Sequence, residues 1–241
     1  MRTTILNPEA DLHVHTVASG HAFSTINEIA LAAAERGLRA IGMTDHGPAL
    51  PGGPHPYHFA SLRFIPQELH GVRIFKGIEA NILAAGKLDL EARHLDRLEL
   101  VTAGFHEGCG FRSGNIRHNT RVLCAAMDMP QVKIISHPGN PRFPVDHEAI
   151  VKHAANTATA IEVNNSSFGI SRGGDSSNIE NIVHLCAKHS APLAINSDAH
   201  IAQQVGIIDH ARQLVEAAGI LPEQIVNRTL ESTLAFLDLE A

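Results

Sequence analysis

Residues 11–21 read DLHVHTVASGH, which places His13, His15 and His21 within nine residues at the end of a short apolar stretch. Imidazoles so spaced read as metal ligands. In a strand, side chains two apart share a face, so His13 and His15 reach one cation, while His21, across a short loop, reaches a second. Further donors stand singly after later apolar runs: His46 in IGMTDH, Glu79 in IFKGIEA, His106 in VTAGFH, His137 in KIISHP, and Asp198 with His200 in AINSDAH. Seven imidazoles and two carboxylates exceed the needs of one ion, because Zn²⁺ takes about four ligands and a catalytic site leaves one position open. Two or three divalent ions are expected. Glu79 is the natural bridge, since a carboxylate has two oxygens to share and a neutral imidazole has one nitrogen. Donor type favours zinc, with manganese and iron also compatible.

Such a set needs a scaffold that gathers distant residues at one end. Apolar strands alternate with amphipathic segments along the whole chain. After the opening strand, residues 25–36 predict a helix closed by Gly37, and LRAIGMT predicts a strand. Helices are then expected near residues 59–69, 92–97, 119–127, 147–156, 177–188 and 202–218. The strands between them are VRIFKGIEA, LELVTAG, QVKIIS, TAIEVN and APLAINS, which brings the count to seven. This alternation predicts a parallel sheet covered by helices. No GxGxxG or GxxxxGK[ST] turn opens any helix, so a dinucleotide or P-loop fold is disfavoured and a barrel is expected. All the candidate ligands then lie at carboxyl ends of strands, which converge on one face of a parallel barrel. The loop GPALPGGPHP (residues 47–56) is expected to lie over that face.

Length and composition agree with one domain over residues 1–241, at 44% hydrophobic and 18% charged residues. Cys109, Cys124 and Cys186 are odd in number and widely spaced, which fits a reducing, cytoplasmic setting better than a disulfide framework. No leader or membrane-spanning run is evident in the sequence. The net charge of −6 argues against a broad nucleic-acid-binding surface.

In DLHVHT, MTDHG, GIEAN, AGFHE, ISHPGNP and NSDAH, spanning residues 11–200 in that order, the chain resembles the PHP (polymerase and histidinol phosphatase) superfamily. TDHGP, GIEAN, ISHPGNP and VNNSSF look like its small stand-alone phosphatase-type members. The resemblance implies an α/β fold, a distorted TIM-like barrel of seven βα units. It also implies three metal positions: His13, His15, Glu79 and Asp198 around one ion, Glu79, His106 and His137 around another, and His21, His46 and His200 around the third.

A cationic pocket on an acidic protein selects an anion, and phosphate is the obvious one. The expected reaction is hydrolysis of a small phosphorylated metabolite by a metal-bound hydroxide, without a covalent intermediate. Alternatives are a phosphodiesterase or nuclease, and a zinc-binding protein without turnover. Asp45 either holds a ligating imidazole in its tautomer or satisfies loop backbone donors. Arg172 either clamps a substrate phosphate, as the resemblance implies, or is a solvated loop residue. Asn164 and Asn165 either bond substrate or end their strand. Asp11 either backs the ligands or supports the rim. His58 and Tyr57 are candidate proton donors to the leaving group, and the histidines outside the nine-donor set otherwise read as surface or core residues.

Overall fold

Short apolar runs become strands here because helices cover their outer side and a filled interior meets their inner side. The computed structural model describes residues 6–169 and 177–240. In chain order it contains β1 (Ala10–Val14), α1 (Ile26–Glu35), β2 (Ala40–Met43), α2 (Pro56–Ser61), β3 (Glu68–Leu69), β4 (Val72–Asn81), α3 (Ala92–Leu95) and β5 (Leu100–Gly104). There follow α4 (Ile116–Met127), β6 (Val132–Ile135), α5 (His147–Thr157), β7 (Ala160–Asn164), α6 (Ser177–His189), β8 (Leu193–Asn196), α7 (Asp209–Ala217) and α8 (Leu230–Phe236). Side chains start several helices by accepting from free N–H groups of the first turn. Thr25 forms a capping box with Glu28, Asn115 accepts from the His118 amide and Asp146 from the Ala149 amide.

The sheet order is β1-β2-β4-β5-β6-β7-β8, all parallel, with β3 added antiparallel to β4. It is a nearly closed TIM-like barrel, as expected. Among the described residues, β1 is joined to the segment after β8 by the bridge Val14–Ala199, where the His15 amide donates to the Ala199 carbonyl at 2.9 Å. Farther down that seam, side chains replace the missing ladder. Asn196 accepts from the Leu12 amide at 2.9 Å, and the Asn227 amide donates to the Ala10 and Ile195 carbonyls.

Outside the strands, Ile41, Ile78, Ile135, Val163 and Ile195 join an apolar cluster with helix residues such as Ile29, Val122, Ile150 and Ile182. Inside, a lower layer of Leu12, Phe75, Leu100 and Ile134 packs with Ala40, Ala160 and Ala194, and with Val226, Leu234 and Leu237 of the C-terminal segment. Above it the interior becomes polar. The pairing of β1 with β2 shifts register between Asp11 and Val14, so Leu12 joins the lower layer while its neighbour His13 also meets interior carboxylates. A bulge re-aims side chains in this way, which simple alternation does not predict.

Two helical expectations change, and one helix was not expected. The helix expected over 59–69 begins at Pro56, stops at Ser61 and runs as 3₁₀ to Phe64, because Pro66 forces Ile65 into extended backbone. The helix expected over 202–218 is a 3₁₀ turn, Ala202–Gln204, and then α7, separated by Gly206 at φ +70°. Helix α8 lies beyond every predicted element.

Candidate metal centre

The donors are carried to the centre by the carboxyl ends of six strands and one loop. His13 and His15 come from β1, His46 from beyond β2, Glu79 from β4, His106 from beyond β5, His137 from beyond β6, and Asp198 and His200 from beyond β8. His21 comes from the β1–α1 loop. Glu79 lies in the middle and presents its two oxygens to different groups. Oε2 is 3.3 Å from Nε2 of His13, 3.5 Å from Nε2 of His15 and 2.9 Å from Nδ1 of His46. Oε1 is 3.1 Å from Nε2 of His106 and 2.8 Å from Nε2 of His137. Oδ1 of Asp198 completes the first group, 3.6 Å from His13 and 3.1 Å from His15. His21 and His200 face each other, Nε2 to Nε2, at 3.1 Å, and both rings lie against His46.

Gly104, at the end of β5, makes the close approach of two imidazoles possible. A Cβ there would lie 2.4 Å from Ser136 Oγ and 3.0 Å from a ring carbon of His137.

Tautomers follow from the partners behind the rings. Nδ1 of His13 donates to Glu162 at 2.7 Å. Ser19 Oγ donates to Asp45 at 2.7 Å, so it accepts from His15 Nδ1, 3.3 Å away. His21 and His200 each donate Nδ1–H to a backbone carbonyl, of Ser19 and Asp198 respectively, at 3.0 Å. These four rings therefore turn Nε2 lone pairs inward. Those of His13 and His15 meet at 3.0 Å, and those of His21 and His200 at 3.1 Å. Nδ1 of His46 and Oε2 of Glu79 are buried, close, and without a hydrogen bond. Lone pairs so opposed repel unless cations lie between them, and a set of imidazoles and carboxylates suits zinc and its neighbours.

The electrostatics favour the same occupant. Burial opposes charge on Glu79, but the imidazoles of His106, His13 and His46 hold its pKa well below the carboxylate range. Burial, with His46 and His13 beside it, pulls His15 down to about 3, leaving it a neutral donor. His21 is lowered by burial and by His46 and His200. Burial also opposes charge on His13, yet Glu162, Glu79 and Asp198 override it and raise its pKa well above the ordinary value. These carboxylates draw positive charge into the barrel.

Asp45 does not touch His46's ring. It accepts from the Thr16 amide at 2.7 Å, the Thr16 hydroxyl at 2.8 Å and Ser19, and so backs His15 through one hydroxyl. Nε2 of His58 lies 3.3 Å from Asp45 Oδ2. Asp11 accepts from the amides of Ser197 and Gly206 at the rim and from the His13 amide at 3.4 Å. Asn165 accepts from the first amides of α7, while Asn164 donates to Glu162 and to Asp198. Arg172 lies outside the described residues. The nine expected donors gather in one place. Sequence reasoning missed Glu162, whose signal was a lone charge inside the strand AIEVN. It also missed His210, which lines a cavity of about 680 Å³ beside His21, His46, His106 and His200. Phe168 and His210 form part of that cavity's wall, with ring centroids 5.9 Å apart, and Leu50 reaches it from the Gly-rich loop. Among the described residues, no helix is long and apolar enough to cross a membrane.

The family model for the PHP domain matches residues 11–166. A protein of Syntrophotalea carbinolica named "Probable phosphatase" is 55% identical over 237 residues, 98% of this chain and 99% of its own length. A probable phosphatase of Caldanaerobacter subterraneus is 42% identical over 228 residues, 94% of this chain and 90% of its own. The fold is similar to a histidinol phosphate phosphatase from Lactococcus lactis, solved with zinc, L-histidinol and phosphate. Its TM-score is 0.58 at 16% identity, covering 88% of this chain and 94% of that one. The chain belongs to the PHP domain family, as a hydrolase of the phosphatase type.

Proposed function

We propose that the chain is a phosphomonoesterase for small phosphorylated metabolites, working with three divalent cations of which zinc suits the donors best and manganese or iron also fit. Glu79 carries the proposal. Its two oxygens address two separate sets of imidazoles, and a third pair of inward lone pairs stands at His21 and His200. His13, His15, Glu79 and Asp198 would hold one ion, Glu79, His106 and His137 a second, and His21, His46 and His200 a third. His46 also lies 2.9 Å from Glu79 Oε2, beside the first group. Bound cations would supply charge neutralisation of a phosphoryl group and an acidified water as nucleophile.

The protein's own part is orientation. Ser19 and Asp45 keep His15's donor nitrogen inward, and backbone carbonyls do the same for His21 and His200. The adjoining cavity, about 680 Å³, falls within the usual range of small-molecule sites, about 300–1,000 Å³, and suits a metabolite better than a duplex. The free thiols of Cys109, Cys124 and Cys186 suit a cytoplasmic setting.

The experiment is phosphate release from a panel of small phosphomonoesters, beginning with p-nitrophenyl phosphate, with bis-p-nitrophenyl phosphate as the diester comparison. Monoester turnover that is lost on chelation and restored by zinc or manganese is expected. Preference for the diester, or turnover that chelation leaves untouched, would contradict the proposal.

A further inference from the structure

Glu162 lies on the inner face of β7, fully buried, with its carboxylate below the metal ligands. A buried carboxylate is costly unless donors surround it. Glu162 has four. Oε1 accepts from His13 Nδ1 at 2.7 Å and from Asn196 Nδ2 at 2.9 Å. Oε2 accepts from the His137 amide at 2.9 Å and from Asn164 Nδ2 at 3.0 Å. Both oxygens are thereby occupied, so Glu162 is placed to hold ligands and not to be one.

Its partners lead to three donors on three strand ends. His13 is held directly, in the tautomer that turns Nε2 toward Glu79 and Asp198. His137 is held through its amide, in a left-handed backbone at φ +34° that residues with a Cβ rarely adopt. Asp198, itself at φ +57°, receives Asn164's second contact on Oδ2 at 3.1 Å, on the oxygen opposite the one that faces His13 and His15. Asn196, the remaining donor, also accepts from the Leu12 amide, which ties β1 to β8 one residue before His13.

We propose that Glu162 is the positioning residue of the centre, setting His13's tautomer, His137's backbone and, through Asn164, Asp198's orientation. The inference rests on the metal centre proposed above and is independent of which phosphoester is hydrolysed.

Glu162→Gln tests it sharply. The variant is nearly isosteric, but one end of an amide is a donor, and every partner of Glu162 is already a donor. Zinc affinity is measured by chelator competition on the full chain, alongside melting of the metal-free protein. Nitrogen-15 NMR of labelled histidine follows the His13 Nδ1–H signal, assigned by its loss in His13→Gln. A carboxylate behind a ligating histidine is worth about 10- to 100-fold in metal affinity, and that loss is expected in Glu162→Gln together with a displaced His13 signal. Asn164→Ala, which removes the contact to Asp198 and one of Glu162's four donors but leaves the His13 bond, is expected to lose less affinity and to leave the His13 signal in place. Wild-type zinc affinity in Glu162→Gln, even with lowered melting, would reduce the residue to a structural strut and overturn the proposal. Should Glu162→Gln fail to fold, wild-type affinity in Asn164→Ala would overturn it, and a loss without a melting change would support it. Failure of the wild-type chain to bind zinc would count against the metal centre itself, while the His13 signal still reports whether Glu162 holds that ring.

Discussion

The barrel's interior has two halves built from the same strands to opposite ends. In the lower half Leu12, Phe75, Leu100 and Ile134 interlock with alanines and with the C-terminal segment, and no interior charge is required. In the upper half, at and beyond the carboxyl ends of the strands, seven imidazoles meet Glu79 and Asp198 and turn lone pairs toward one another. The lower half is stable as it stands. The upper half is tolerable only because the lower half, Glu162 and the Asn196–Asn227 seam hold it in shape. The barrel thus separates the residues that keep the chain folded from those that make it reactive, and two donors of the reactive half, His137 and Asp198, hold a left-handed backbone.

Substitution should break the two halves in different ways. Glu79→Ala is expected to have the largest effect on activity, a loss of at least about a thousandfold in kcat/KM, equivalent to about 4 kcal/mol of barrier. Metal-free melting should be unchanged or higher, since a buried carboxylate is removed; a large melting loss would show Glu79 to be structural. Phe75→Ala is the mirror case. Phe75 is fully buried in the lower layer, so denaturant titration should show a loss of about 3–5 kcal/mol while metal content per folded chain stays at the wild-type level. Coupled loss of metal would mean that the halves are not separable.

Gly104→Ala probes the boundary. The added methyl would press on Ser136 and His137, costing about 1–3 kcal/mol by overpacking and lowering activity by more than that stability loss explains. Wild-type kinetics would show that His137 has room to move. The smallest effect belongs to the surface. Contacts from Lys188, then His189 and Lys152, hold exposed Glu148 at about 2, below its ordinary 4.5. Its folded pKa is depressed, so its contribution is present above about pH 4.5 and is lost as pH falls toward 2. Melting of Glu148→Gln should trail the wild type slightly at neutral pH and match it near pH 2, with metal binding the same throughout.

The reactive half was the more legible one in sequence. His46, Glu79, His106, His137 and Asp198 each follow an apolar run, and in a parallel barrel that position alone brings distant residues together. The parallel barrel followed from the same alternation, whereas β3 fell within a segment read as helix. What escaped depended on three-dimensional partners. Glu162 sits in AIEVN like any isolated charge, and only the fold shows four donors around it. His210 looked like an ordinary surface histidine until α7 brought it to the cavity wall, and His58, expected as a proton donor, faces Asp45 from α2. The bulge after Asp11 was invisible because it depends on β1's register against β2. Helix α8 lay beyond the last segment whose pattern was read as an element.

Metal content bears most directly on Glu79 as the shared ligand of a three-ion centre. Elemental analysis of untagged wild-type protein and of Glu79→Ala, each saturated with zinc and desalted, should find about three ions per chain in the first and no more than one in the second. An equal count in both, or a wild-type count of one or none, would contradict the bridged centre.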